Sequence, residues 1–249
     1  MAFMRTANPA LNDNTFSTFE RYQAQENQMT LQGTVNKTGI LLVAVVLGAA
    51  WTWRLMAVKN PAVMGWMIGG LIGGLICCIA ICLRKTWAPV LSVPYALCEG
   101  LFLGGLSAYF EKLYPGIVPQ AVGLTFGTLF CLLFAYKTGF IKATENFKLG
   151  VVAATGGIAL LYLASFILGF FGWGIPFIHE AGWLGIGFSA FVVVIAALNL
   201  VLDFDFIENG ANRGAPKYME WYGAFGLLVT LVWLYIEILR LLSKLRSRN

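Results

Sequence analysis

Residues 62–83 read AVMGWMIGGLIGGLICCIAICL, a run without one charged side chain. About 20 predominantly apolar residues suffice to cross the hydrocarbon of a bilayer as a helix, and nothing in this run could cover a soluble surface. Small residues recur through it at helical spacing: Gly65, Gly69, Gly70, Gly73 and Gly74. In a membrane helix such positions let a neighbouring backbone come close, so tight helix packing is expected at all five.

Six more segments of the same kind follow from the sequence, at roughly 39–57, 87–109, 117–137, 149–171, 183–206 and 219–242. Composition agrees: 59% of the chain is hydrophobic and only 12% charged, against about 25% charged in soluble domains. The expected fold class is all-α, a polytopic membrane protein built as a seven-transmembrane-helix bundle. A polar N-terminal tail (1–38), with no signal-peptide core, precedes the membrane domain (39–242), and a basic tail (243–249) closes the chain. Turn residues mark the joins at Asn60-Pro61, Tyr114-Pro115-Gly116 and Asn209-Gly210, and Phe171 to Pro176 reads as an aromatic interfacial turn. Trp51, Trp53, Trp87, Trp173, Trp183 and Trp221 stand near segment ends, as an aromatic belt requires.

Lysine and arginine counts orient the bundle. With the N-terminus cytoplasmic, Arg5, Arg21, Lys37, Arg84, Lys85, Lys137, Lys142, Lys148, Arg213 and Lys217 fall inside, and Arg54, Lys59 and Lys112 outside. Cytoplasmic loops carry the excess of basic residues. The cluster Arg240, Lys244, Arg246 and Arg248 alone disagrees. Seven full spans leave that tail outside, and a re-entrant segment would return it; seven full spans are the expectation. The basic residues otherwise serve topology, so the net charge of +5 implies no nucleic-acid partner. The partner composition demands is the lipid bilayer.

Catalysis finds little support. His179 is the single histidine, and the sequence holds no metal cluster, nucleophile elbow or phosphate loop. Cys77, Cys78, Cys82, Cys98 and Cys131 all lie in apolar segments and read as small packing residues. No cofactor is expected.

Chemistry concentrates in the stretch Leu198-Asn199-Leu200-Val201-Leu202-Asp203-Phe204-Asp205-Phe206-Ile207-Glu208, where carboxylates enter an apolar run. A charge at mid-membrane costs about 2.5–3.5 kcal/mol on insertion scales and usually faces the protein interior. Residues two apart on a helix point about 200° away from each other. Asp203 therefore goes with Asn199, one turn before it, and Asp205 goes with Glu208. The first pair looks into the bundle; the second sits at the cytoplasmic mouth, where a solvated helix end is the plainer reading. Glu99, with Pro94 five residues earlier, and Glu237, with Arg240 three residues later, are the other embedded carboxylates. Glu237 and Arg240 can form a simple pair. For the rest no intramembrane cation is evident, and an unpartnered carboxylate in hydrocarbon is costly to keep charged, which suits a site that exchanges protons or cations.

These segments carry a resemblance. Glu99-Gly100-Leu101-Phe102-Leu103-Gly104-Gly105, Val201-Leu202-Asp203-Phe204-Asp205-Phe206-Ile207-Glu208 and Ile238-Leu239-Arg240-Leu241-Leu242 together are similar to blocks of the Bax inhibitor-1/YccA family. The opening Met1 to Leu11 and the stretch from Ala215 to Leu242 look most like a bacterial YccA-related branch. The preferred register places Asp203 on the family's aspartate of the sixth helix; a shift of two places Asp205 there. The resemblance implies a Bax inhibitor-like seven-helix bundle in a bacterial inner membrane, with a polar site between helices six and seven and a pH-sensitive calcium leak. In the family, two aspartates on the last helices share a proton and latch the pore. Here the second falls on Thr230, which cannot ionise, with Glu237 seven residues later on the same face. No basic latch partner occurs within 62–83. The implied roles are gating and pH sensing for Asp203, Asn199, Glu237 and Thr230, pore interior for Glu99, and cation attraction for Asp205 and Glu208. Calcium, as transported ion, would meet Asp203 and Asp205. The alternative the resemblance offers is a regulatory protein that modulates a membrane-anchored AAA protease. The polar tail with Phe16, Phe19 and Tyr22 would then serve for docking.

Overall fold

The computed structural model describes residues 27–171 and 182–248. Phe16, Phe19, Tyr22, the turn residues from Gly172 to Pro176, and His179 lie outside the described residues. Seven helices follow one another: α1 (Leu31–Ala57), α2 (Val63–Leu83), α3 (Ala88–Leu113), α4 (Ile117–Lys137), α5 (Glu145–Phe170), α6 (Trp183–Asn212) and α7 (Met219–Arg248). Each is long and apolar enough to cross a membrane. Their outward faces are apolar, with Val46, Ile76, Phe134, Leu160 and Phe166 all exposed. That is the surface a helix presents to lipid, not to water.

The helices alternate in direction around α7, the most buried span. Of its apolar window 56% is buried, against 11% for α5, which lies at the periphery. α7 packs on α1, α3, α4 and α6. α1 and α3 run parallel and nearly touch: a Cβ on Gly100 or Gly104 would strike the backbone of α1 at Val45 or Ala49. The second helix uses only part of its glycine stripe. Gly70, Gly73 and Gly74 meet Cys98 and Glu99 of α3, whereas Gly65 and Gly69 face open space. The spacing predicted packing at all five, but α3 crosses α2 on one face only.

Several boundaries move outward from the apolar segments, each for a polar reason. α1 begins at Leu31, eight residues before its apolar run, because Thr30 caps it by accepting from the Gly33 amide at 2.9 Å. α6 continues through Asn209-Gly210, where a join was expected, since the Asn209 side chain donates to the Asp205 carbonyl within the helix (2.8 Å). The turn comes instead at Gly214, with φ of 65°. α7 absorbs the basic tail. Lys244 is buried, donating to the Gly185 carbonyl (3.0 Å) and the Ser189 hydroxyl (2.9 Å), and the Arg248 guanidinium lies 3.5 Å from the Trp183 ring centroid. Arg246 reaches the Pro115 carbonyl at 2.6 Å. All seven helices run the length of the bundle, so the end of α7 lies opposite the start of α1.

Candidate functional site

The polar side chains of the last three helices assemble into one seam. On α5, Lys148, Thr155 and Tyr162 stand at seven-residue intervals; on α7, Thr230, Glu237 and Lys244 do the same. A seven-residue step returns nearly to the same helix face, so each set forms a stripe. α6 runs between them. Asp203 of α6 meets Thr230, and Ser189 meets Lys244. Fourteen positions separate these two contacts on each helix, so the antiparallel register holds across four turns.

At one end of the seam Lys148 Nζ pairs with Asp205 at 2.9 Å and with Glu145 at 3.2 Å. About two turns deeper, Asn199 donates to the Thr155 hydroxyl (2.8 Å) and to the Ile195 carbonyl (2.9 Å). Beside it Asp203 faces α7. Thr230 is the side chain opposite its carboxyl, while Asp203 Oδ2 is buried with no hydrogen-bond partner. The Thr230 hydroxyl also leans on the Gly226 carbonyl of its own helix, at 3.3 Å. Deeper still, the Tyr162 hydroxyl donates to Glu237 Oε1 at 3.0 Å and accepts from Arg240 Nη1 at 2.7 Å. Arg240 also reaches both Glu237 oxygens, at 3.0 and 3.2 Å. The seam ends at Lys244, held by Ser189 and the Gly185 carbonyl.

The residues singled out in the sequence thus separate into groups. Asn199 turns to Thr155 of α5, whereas Asp203, one turn after it on α6, meets Thr230 of α7. Glu237 lies two turns along the same face, in a closed triangle with Arg240 and Tyr162. Asp205 and Glu208 sit at the same end but turn to different helices: Asp205 to Lys148 of α5, Glu208 to the Tyr136 hydroxyl of α4. Asp205 therefore has a cation, contrary to expectation; Lys148 was counted as a loop residue, but α5 begins at Glu145 and carries it to the carboxylate. Glu99 does not join the seam. It faces Gly74 of α2 and its own helix neighbour Tyr95, which packs on Phe225 of α7 with ring centroids 4.9 Å apart. α3 runs unbroken past Pro94.

Calcium takes six to eight oxygen ligands at about 2.3–2.6 Å. Asp203 and Asp205 point to different neighbours and offer no shared cage, and among the described residues no group of three His, Cys, Asp or Glu side chains converges.

One buried carboxylate escaped the sequence reading. Glu220, in the first turn of α7, is fully buried. It accepts from the Thr30 amide (2.9 Å) and hydroxyl (2.8 Å), and pairs with Lys37 and with Lys217, the latter at 3.0 Å. The i,i+3 spacing of Lys217 and Glu220 was visible in the sequence, but the burial was not, because Thr30 and Lys37 lie on the other side of the chain. Tyr162 and Thr155 also went unnoticed, although polar residues at heptad spacing in an apolar helix were a signal.

A family model described as Bax inhibitor 1 like matches residues 8–247, almost the whole chain. No curated protein and no solved structure gave a match.

Proposed function

Because the chain belongs to the Bax inhibitor 1-like family of membrane proteins, we propose that it is a pH-sensitive cation leak pathway of the YccA-related branch, with calcium as the transported ion. The membrane is a bacterial inner membrane and the N-terminus is cytoplasmic, the orientation that the lysine and arginine counts favour. The observation that carries the reading is Asp203 Oδ2, a carboxylate oxygen buried without a hydrogen-bond partner where α6 faces α7. A polar atom left without a partner in a buried site is unusual enough to require a reason, and an exchangeable proton or passing cation supplies one.

In this reading Asp203 is the gating carboxylate, and Asn199 and Thr230 supply neutral oxygens on either side of it. Asp205 and Glu208 gather cations at the mouth, where Lys148 and Tyr136 hold them in the closed state. The triangle of Tyr162, Glu237 and Arg240 closes the seam farther along, its buried carboxylate neutralised by an adjacent guanidinium. Opening requires α5, which buries the least surface of the seven, to shift against α6 and α7. Low local burial is where opening motions are drawn from.

Calcium flux into liposomes holding purified protein, followed across a pH series, tests this. Asp203→Asn keeps the shape and removes the titrating group, so flux is expected to lose its pH dependence. Flux and pH profile equal to those of the unaltered protein would overturn the assignment of Asp203.

A further inference from the structure

On the opposite face of α7 from the seam, a groove of about 340 Å³ opens between α1 and α4. α1 and α4 make no extended contact with each other, and α3 and α7 form the floor. Ala50 and Trp53 on one wall and Val122 on the other are exposed. Three hydroxyls reach this lining, and all are engaged. Ser107 and Tyr235 bond to each other at 2.6 Å, and Thr125 donates to the Ala121 carbonyl at 2.8 Å. Nothing in the wall asks for water or an ion, so the groove is built for hydrocarbon.

The charge at its end narrows the occupant. Arg54 follows Trp53, is exposed, and takes part in no ion pair among the described residues. Arg246 is engaged elsewhere, crossing from α7 to the Pro115 carbonyl and to the side chain of Gln120, which lies about 200° round α4 from Val122. Glu111, the carboxylate of the α3–α4 turn, is engaged with the Gly116 and Val118 amides, at 2.6 and 3.0 Å. One exposed guanidinium, that of Arg54, therefore stands one residue beyond the Trp53 wall of the apolar slot, with the acid of the α3–α4 turn occupied elsewhere. Guanidinium matches phosphate geometry, and basic groups near a bilayer surface favour anionic lipids.

We propose that this groove is a binding site for an anionic glycerophospholipid. One acyl chain lies between α1 and α4, and the phosphate rests on Arg54. The lipid belongs to the leaflet at the end where α1 finishes. It would wedge the wall of α7 that backs the Asp203 seam.

Native mass spectrometry of the full chain in detergent tests this, with phosphatidylglycerol and phosphatidylcholine of identical acyl chains as probes. The unaltered protein is expected to retain phosphatidylglycerol in preference. Ala50→Phe fills the slot and should abolish retention; Arg54→Gln should weaken it about fivefold and reduce the headgroup preference. Val122→Phe obstructs the slot from the opposite wall and replaces Ala50→Phe if that variant does not fold. Leu71→Phe, on the exposed face of α2, should leave retention unchanged. Undiminished phosphatidylglycerol in the folded slot variants would overturn the site. Equal retention of phosphatidylcholine would overturn the headgroup assignment. Dimers that vanish on filling the slot, with lipid unaffected, would mean that a second copy occupies it.

Discussion

Glu220 and Thr30, 190 residues apart in the chain, are joined by two hydrogen bonds to one carboxylate oxygen, 2.9 Å from the amide and 2.8 Å from the hydroxyl. The same hydroxyl accepts from the Gly33 amide and so caps α1. A backbone bond from Met29 to the Ala215 carbonyl (2.7 Å) and another from Lys217 to the Asn27 carbonyl (2.8 Å) complete the clamp. The first and last helices are thereby locked at one end of the bundle. Gly33 is required there, since a Cβ would run into the Glu220 carboxylate.

Glu220→Gln should therefore destabilise the bundle markedly. Removing one partner from a buried ion pair costs about 3–5 kcal/mol. The lower end applies, because Lys37 and Lys217 retain some access to water, with side chains 17% and 47% exposed. Thermal unfolding in detergent measures it. A melting temperature equal to that of the unaltered protein would mean the clamp is decorative. Gly33→Ala should act in the same direction by displacing the same carboxylate.

Tyr162→Phe probes the middle of the seam. The hydroxyl links Glu237 and Arg240 across α5 and α7. Interhelical hydrogen bonds in membranes contribute about 0.6 kcal/mol on average and up to about 1.7, so the stability loss should be about 1 kcal/mol. Calcium flux should rise, because the triangle that closes the seam loses its α5 member. Loss of stability with unchanged flux would make the triangle purely structural.

Lys148→Gln separates stability from function at the mouth. The Lys148–Asp205 pair is partly exposed, with side chains 33% and 20% accessible, and solvent-screened pairs of this kind add little to stability. The melting temperature should barely move. Calcium flux should increase several-fold, since Asp205 is released to attract cations. If flux instead falls, Lys148 belongs to the conducting path and does not shut it.

Much of the fold was legible because the bilayer imposes it: seven apolar runs of sufficient length each become a helix. What escaped depended on contacts between distant residues. The end of α7 could not be read from its basic residues, since Lys244 is drawn inward by Ser189 and Gly185 of α6. Glu220, at the edge of its apolar segment, was not weighed because two of its partners, Thr30 and Lys37, come from the start of α1 at the other end of the chain. For the site, helical geometry rightly separated Asp203 from Asp205, but could not say which neighbour each would meet. The lysine for Asp205 came from α5, whose polar stripe at 148, 155 and 162 was present in the sequence and was not weighed.

Thr230→Asp tests the central relationship most directly. The substitution is close in size and puts a second carboxyl opposite Asp203 across the α6–α7 interface, the pairing the family resemblance implies and this chain lacks. Two carboxyls in one dry site cannot both ionise freely, and they titrate as a coupled pair in two macroscopic steps. The pH profile of calcium flux should therefore acquire a second step in Thr230→Asp. The double variant Asp203→Asn, Thr230→Asp keeps one carboxyl on the opposite helix and should return to a single step. If the two profiles coincide, the side chain at 230 does not sense the one at 203, and the gate lies elsewhere along the seam.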